Sequence, residues 1–220
     1  MGKIETLSAI HRDIKVCRAC PNMCGAPVHG PAIETDIMLV GQAPGPHEGK
    51  FGKPFAYTSG KTLFKWFQSI GVEEESFRSH VYITATARCF PGKSGKGDRV
   101  PSRQEIDMCA AHVSKEVSVI KPKLIIAVGR LAITEVLGPL TFPKSKNLSE
   151  VVGKKFQAEF HGHKADVVCL PHPSGVSRWP RSEEGSKKLA LALELIKEEF
   201  LQNVALQHSL SHNNVREKDD

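Results

Sequence analysis

The 220-residue chain has no hydrophobic run long enough to cross a membrane. A spanning helix needs about 18 consecutive apolar residues, and no segment approaches that length. The opening MGKIETLSAIHRDIK is polar and charged and lacks the apolar core of a secretory signal peptide, which predicts a cytoplasmic protein. Because 40% of the residues are hydrophobic and 25% are charged, the composition also excludes a chain that is disordered throughout.

The chain has six cysteines but shows no secretory signal, so a disulfide framework is not expected. Disulfides are rare in proteins without a secretory signal, and a chain of this length can fold without them. Cys169 lies in the apolar run 167–170, where a buried and inert thiol is expected. The remaining cysteines are better candidates for metal ligands than for a disulfide framework.

A C-x2-C pair begins the candidate metal site. Cys17 and Cys20 are spaced so that two thiolates can meet at one centre. Cys89 follows a predicted strand and Cys109 lies near the start of a predicted helix, so these two could complete a four-thiolate site. Cys24 is ambiguous, because it could also belong to this set.

Short apolar segments alternate with helical patterns along the chain, which is typical of α/β proteins. Strands are predicted at 36–40, 81–86, 123–128 and 165–170, a hairpin at 154–163, and helices near the amino terminus and at 59–70, 102–120, 130–137 and 182–202. We therefore predict a three-layer α/β/α sandwich with a mainly parallel four-stranded central sheet. It forms a single domain over 1–206, followed by a disordered tail over 207–220.

Two loops follow predicted strands, at the sheet edge where ligands of parallel sheets bind. The first, 41–55, is rich in glycine and proline but has neither a Walker motif nor a dinucleotide fingerprint. Its backbone amides can approach a small flat ligand, and its last residue is an aromatic that can stack on one. The second begins with the tripeptide HPS at 172–174. A third segment, 91–101, has no apolar anchor and is expected to be an exposed, mobile loop.

Three motifs in this order resemble the uracil-DNA glycosylase superfamily: GQAPG at 41–45, GKPF at 52–55, and HPS at 172–174. With the cysteines, the chain is similar to the iron–sulfur branch of that superfamily, the family 4 enzymes, from about residue 17 to residue 202. The resemblance implies a monofunctional DNA glycosylase of base excision repair. Such an enzyme flips a base out of damaged DNA and hydrolyses its N-glycosidic bond, leaving an abasic site. The partner would be double- or single-stranded DNA, with no membrane, and the protein would be a monomer.

The same resemblance implies a cofactor. In that branch four cysteines hold a [4Fe–4S] cluster, and the matching residues are Cys17, Cys20, Cys89 and Cys109. The expected role of the cluster is to anchor a loop that faces DNA. Cys24 in place of Cys20, and a zinc site in place of the cluster, stay open as alternatives.

The motifs also imply roles for individual residues. Phe55 matches the aromatic residue on which the extruded base stacks, and His172 matches the histidine that faces the uracil O2 atom. Cleavage leaves negative charge on the base, so a donor at O2 acts like an oxyanion hole. Gln42, with the backbone amides around it at Gly41 and Ala43, would contribute to the same anion site.

Two positions depart from the family 4 pattern. The first motif usually begins Gly-Glu, whereas this chain has Gln42. The second core strand usually offers an asparagine that distinguishes uracil from cytosine, whereas Ala85 stands there, with Thr84 or Thr86 as weak substitutes. The base is expected to be uracil, with hypoxanthine and xanthine as alternatives. Glu48 matches an acidic position of the family motif and is the candidate for positioning water or stabilising the sugar cation.

Basic and loop residues are expected to contact DNA. The set consists of Lys93, Lys96, Arg99, Arg103, Ser174, Val176 and Arg178. Val176 matches an apolar wedge that fills the space of the departed base, and Arg178 could plug the same gap or bind phosphate. The basic loop 92–100 has no histidine, so we predict no covalent link to the abasic sugar of the kind that some relatives form.

Two further hypotheses come from other functional classes. One is a catalytically weak binder of damaged DNA, suggested by Ala43 and Ala85. The other is a metal-stabilised hydrolase of free nucleotides, which the lack of a nucleotide-phosphate motif and of a catalytic metal triad disfavours. No motif places a lysine for Schiff-base chemistry, so lyase activity is not expected.

Overall fold

The computed structural model describes residues 2–95, 97–175 and 177–216, with side chains described up to residue 205. Lys96 and Val176, both expected to contact DNA, lie outside the described residues. The helices and strands are α1 (Lys3–Val16), β1 (Ile37–Gly41), α2 (Glu48–Phe51), α3 (Thr58–Gln68), α4 (Glu74–His80), β2 (Tyr82–Ala85), β3 (Lys93–Ser94), β4 (Gly97–Asp98), α5 (Arg103–Ile120), β5 (Leu124–Val128), α6 (Arg130–Leu137), β6 (Lys155–Phe160), β7 (His163–Leu170) and α7 (Glu183–Arg216).

The central sheet has five strands in the order β2-β1-β5-β7-β6. The first four are parallel to their neighbours, and β6 pairs antiparallel with β7. The mainly parallel sheet is confirmed, but the prediction of four strands is wrong by one. The predicted hairpin contributes the fifth strand, because its turn at His161 and Gly162, both with positive φ, folds β6 back along β7.

The core explains why the strands could be recognised from sequence. Every residue of β1 and β5 is buried, as expected for central parallel strands covered on both faces. The helices pack in two groups, α1 against α5 and α4 against α7. Phe77 of α4 stacks on Phe200 of α7, with ring centroids 6.4 Å apart. Together the sheet and these helices form the predicted three-layer α/β/α sandwich.

Two segments differ from their predicted structure. Helix α7 continues to Arg216, so it passes the predicted end at Gln202 and runs through most of the segment expected to be a disordered tail. The loop at 91–101 is largely exposed, as predicted, but it contains the small antiparallel hairpin of β3 and β4. Among the described residues, no helix is long and apolar enough to cross a membrane.

Candidate active site and cysteine centre

The carboxyl ends of β1 and β2 and the loop after β7 open into one cavity of about 510 Å³, which we call the strand-end cavity. All of the residues predicted to bind the base line it: Gly41, Gln42, Ala43, Phe55, Ala85 and His172. Glu48 lines it as well. Two loops separated by more than a hundred residues therefore meet at one site, because parallel strands bring their carboxyl ends to the same edge of the sheet.

Phe55 is held in a backbone conformation that few residues adopt. Its φ is +52°, in the left-handed region, which costs energy for any residue other than glycine. Arg78 donates hydrogen bonds of 3.0 Å to the carbonyl oxygens of Pro54 and Phe55. Gly60 packs so closely that an added Cβ would lie 1.8 Å from the Phe55 oxygen, and a Cβ on Gly41 would lie 3.3 Å from the Phe55 ring. These contacts fix the ring against the end of β1.

His172 is positioned as a neutral hydrogen-bond donor. Burial lowers the pKa of its imidazole, so the ring is uncharged at neutral pH. The backbone N–H of Ser174 donates to Nδ1 of His172 over 3.2 Å, which makes Nδ1 an acceptor. The ring proton of the neutral form then lies on Nε2. The side chain packs on Gly129, where an added Cβ would come within 3.0 Å of Cδ2.

Glu48 is buried at the start of α2, with 8% of its surface exposed. Oε2 accepts a hydrogen bond of 2.7 Å from the Gly45 N–H, and Oε1 accepts one of 3.1 Å from the Ala56 N–H. Burial raises the pKa of this carboxyl, and the backbone N–H groups act in the opposite direction. Both oxygens are thus used to tie the two ends of the 45–56 loop together.

The wall formed by β2 presents little that could read a base edge. Ala85 lines the cavity with a methyl group. The Thr84 hydroxyl donates to the Glu116 carboxylate over 2.9 Å, and the Thr86 hydroxyl donates to the Gln42 carbonyl over 2.6 Å. Neither threonine therefore has its proton available for a base. The side-chain amide of Gln42 makes no hydrogen bond to the described residues, so it is available to a base in the cavity.

A buried ionic network lies behind this wall. Glu116 on α5 is fully buried and accepts hydrogen bonds from Tyr82 and Arg88 in addition to Thr84. Arg88 is also buried, and Glu116 raises the pKa of its guanidinium against the effect of burial. Because Arg88 lines both the strand-end cavity and a second cavity lined by cysteines, it connects the two.

The second cavity, of about 60 Å³, is the cysteine centre. Four cysteines line it: Cys17 after α1, Cys20, Cys89 after β2, and Cys109 on α5. Cys24 is exposed and does not line it; the Cys24 backbone bonds to Phe90 instead. Cys169 is fully buried in β7, as expected for a core thiol.

The chemistry of the four thiols fits a metal centre with cysteine ligands. Burial, together with the neighbouring cysteines, raises the pKa of Cys89 to about 11 and also raises the pKa of Cys20. A cationic metal core would reverse this effect by stabilising the thiolates. Within the described residues, no group of three His, Cys, Asp or Glu side chains is arranged to hold a metal ion. Four thiols that line one cavity are a donor set that zinc or an iron–sulfur cluster would use.

Comparison with known proteins decides the family. The family model described as the Uracil DNA glycosylase superfamily matches residues 27–197. The chain belongs to the uracil-DNA glycosylase superfamily. It is 30% identical over 190 residues to the Type-4 uracil-DNA glycosylase of Pyrobaculum aerophilum, covering 84% of this chain and 92% of that protein.

Two further relatives extend the comparison. The Type-4 uracil-DNA glycosylase of Archaeoglobus fulgidus is 30% identical over 184 residues, which cover 82% of this chain and 88% of the relative. The Type-5 uracil-DNA glycosylase of Pyrobaculum aerophilum is 26% identical over 144 residues, covering 59% of this chain and 62% of the relative. The match to the Type-4 proteins thus covers more of the chain than the match to the Type-5 protein.

In this glycosylase fold, the residues predicted to contact DNA occupy different environments. Lys93, Arg99 and Ser174 line the strand-end cavity. Arg178 is exposed beside a short 3-10 helix. Arg103 does not line the cavity, and its guanidinium forms ion pairs with Asp107 and Glu135.

Arg88 and Asp98 line the strand-end cavity but are not among the site residues predicted from the sequence. No sequence pattern marks Arg88 as a site residue, because a single basic residue beside a cysteine is not a motif. Asp98 lines the strand-end cavity from the β3–β4 hairpin. Gly95, which follows β3, has a positive φ, and glycine is a hairpin signal that could have indicated that Asp98 belongs to an ordered element.

Proposed function

We propose that this chain is a monofunctional DNA glycosylase that removes uracil from DNA by hydrolysing the N-glycosidic bond, leaving an abasic site for base excision repair. The single observation that carries the proposal is the pairing of His172, a neutral donor, with the Phe55 ring in one cavity at the strand ends. The names of the Type-4 relatives support the same reaction.

The roles of the two residues follow from the reaction. The base must leave the duplex before its glycosidic bond can be reached, and Phe55 offers a fixed aromatic face on which it can stack. As the bond breaks, negative charge develops on the base. The Nε2–H of His172 would donate to the O2 atom of the uracil and stabilise that charge, and the Gln42 amide lies free in the same cavity. A neutral imidazole needs no proton from solvent for this role.

We propose further that Cys17, Cys20, Cys89 and Cys109 hold a [4Fe–4S] cluster. The support is the position of all four thiols around the cysteine cavity, with Cys24 outside it. When bound, the cluster would supply structural cross-linking of three distant segments. It would join the end of α1 and the segment after β2 to helix α5, and so hold in place the basic hairpin that follows Cys89.

DNA is the proposed partner of the surface around the cavity mouth. Lys93 and Ser174 line the cavity, where they would contact the nucleotide backbone, and Arg178 lies exposed on the segment that follows Ser174. These contacts would hold the extruded nucleotide in place but carry no information about sequence. The proposed enzyme acts as a monomer.

A second candidate substrate is favoured by one observation. Ala85 presents a methyl group where an amide would read uracil, and the hydroxyl protons of Thr84 and Thr86 are used within the protein. A site without this reader can accept another deaminated base, such as hypoxanthine or xanthine. A protein that binds damage without cleaving it is the third outcome to distinguish.

The test is cleavage of oligonucleotides that carry uracil, hypoxanthine, xanthine or a T mispair, followed by alkali to break the abasic sites. We expect cleavage at uracil. His172→Ala should slow it about 10²–10³-fold, and Phe55→Ala about 5- to 150-fold through lost stacking. His163→Ala, at the opposite end of β7 from His172, is the matched control and should keep full activity. Binding without cleavage of any substrate would contradict the proposal.

A further inference from the structure

Hydrolysis requires a group that holds the attacking water and balances the cationic sugar, and a carboxylate can do both. Among the described residues that line the strand-end cavity, the carboxylates are Glu48 and Asp98. Both oxygens of Glu48 accept hydrogen bonds from backbone N–H groups, which leaves about one lone pair on each for water. Asp98, in which Oδ1 alone accepts a hydrogen bond from the described residues, is the carboxylate of this cavity with the freer oxygen for a water molecule.

The Asp98 side chain stands at the cavity mouth with 43% of its surface exposed. Its Oδ1 accepts a hydrogen bond of 2.6 Å from Nζ of Lys93, its partner in the β3–β4 hairpin. Its Oδ2 has no hydrogen-bond partner among the described residues. The negative charge of Asp98 also raises the pKa of His172, in opposition to burial, and both side chains line the strand-end cavity.

The hairpin is anchored, so the position of Asp98 is set by the fold. The backbone N–H of Arg99 donates to the Gly92 carbonyl over 2.9 Å, and its Nε donates to the Pro91 carbonyl over 2.8 Å. Its two terminal nitrogens each lie 2.7 Å from an oxygen of Glu105. Glu105 in turn caps α5 through Ser102. Arg99, which directly follows Asp98, thus fastens β4 to the start of α5.

We propose that Asp98 is a catalytic residue of this glycosylase and acts as the general base that activates the attacking water. This inference rests on the proposed function. One Asp98 oxygen accepts a proton from water as the water oxygen bonds to C1′ of the sugar. The bond from C1′ to the base nitrogen breaks, its electron pair leaves with the base, and His172 stabilises the resulting anion. The proton on Asp98 then passes to solvent.

The decisive variant is Asp98→Asn, which keeps the size of the side chain but cannot accept the proton. The single-turnover rate on uracil DNA should fall about 10²–10⁴-fold, as expected for loss of a general base. Asp98→Glu, which restores a carboxylate, should recover part of this loss. Asp13→Asn, an exposed Asp on α1 far along the chain from the cavity loops, is the matched control and should keep the wild-type rate.

A DNA-binding measurement separates catalysis from a structural role. Binding of Asp98→Asn to DNA that contains an abasic-site analogue should be as tight as in the wild type, or tighter, because a negative charge near the phosphates is removed.

The outcomes are distinct. If the wild type cleaves uracil DNA and Asp98→Asn cleaves within about threefold of its rate, this inference is overturned and the proposed function stands. Equal rates with weaker DNA binding would also overturn it, because Asp98 would then serve only to position the hairpin. If the wild type cleaves none of the deaminated substrates, the proposed function and this inference fall together.

Discussion

Gly129 lies so close to His172 that a Cβ at residue 129 would come within 3.0 Å of the imidazole Cδ2 and 3.3 Å of its Cβ. Gly129 also has a φ of +86°, a conformation that strains any residue with a side chain. Its N–H donates to the Leu170 carbonyl over 2.9 Å, which joins the end of β5 to the end of β7. The orientation of the proposed catalytic histidine therefore depends on a glycine in a neighbouring strand-end turn.

Gly129→Ala is expected to lower both stability and activity. The strained φ and the contact with His172 should reduce the free energy of unfolding by about 1–3 kcal/mol. Displacing the imidazole from the base should slow single-turnover cleavage by about tenfold or more. Denaturant unfolding and cleavage assays check the two effects. Gly138→Ala, which has a similar φ but no atom near its added Cβ, controls for backbone strain and should leave the rate per folded molecule unchanged.

The cysteine centre predicts which thiols are needed for the cofactor. Cys109→Ser should abolish the brown colour and the absorption at about 400 nm of anaerobically purified protein, because it removes a buried thiol proposed to hold the cluster. Cys24→Ser should leave iron content and absorption unchanged, because Cys24 lies outside the cavity. Iron and sulfide analysis is the measurement. Colourless wild-type protein with stoichiometric zinc would contradict the proposed cluster.

The methyl group of Ala85 in the cavity wall leads us to expect that an amide at this position would speed cleavage at uracil. Ala85→Asn places an amide in the cavity wall and should raise kcat/KM at uracil about tenfold, the effect of one well-formed hydrogen bond to the base edge. Ala158→Asn on the edge strand β6 is the matched control and should leave kcat/KM at uracil unchanged. If Ala85→Asn instead lowered cleavage at uracil or raised it only at another base, the wall at residue 85 would not read uracil.

Buried histidines predict loss of stability in acid. Burial and the nearby charges of His29 and Arg88 lower the pKa of His11 to about 3. The unfolded chain, with a histidine pKa near ~6.5, takes up the proton first. The contribution of His11 to stability is therefore complete above that pH and is lost as the pH falls toward 3. The slope is about 1.4 kcal/mol per pH unit for each such group.

Urea unfolding as a function of pH checks this expectation, with His11→Gln as the comparison. Glutamine can keep the hydrogen bond to the Tyr82 hydroxyl, which is 2.8 Å long in the wild type. The variant should lose less stability between neutral and acid pH than the wild type does. Identical pH dependence in the two proteins would show that His11 is already protonated in the folded state or does not control the acid limb.

Local sequence determined the parallel core and the loops that follow it. The strands β1 and β5 are short apolar runs buried on both faces, so composition alone marks them. Because parallel strands share one carboxyl edge, the sequence also predicts that Phe55 and His172 lie at one site. The sequence does not mark the edge strand β6 as part of the sheet, because its residues alternate between exposed and partly buried and form no apolar run. The turn that follows β6 brings it against β7.

Only the tertiary structure decided how the polar side chains are used. The sequence alone does not show how a given carboxylate is used. Glu48 accepts hydrogen bonds from two backbone N–H groups, whereas Asp98 lies at the cavity mouth. The thiols of Cys20 and Cys24 have the same chemistry and close positions in sequence, but only Cys20 lines the cysteine cavity. Hydrophobic periodicity is a local property and can be read along the chain. Hydrogen-bond partners and cavity walls come from distant segments, so they exist only once the chain has folded.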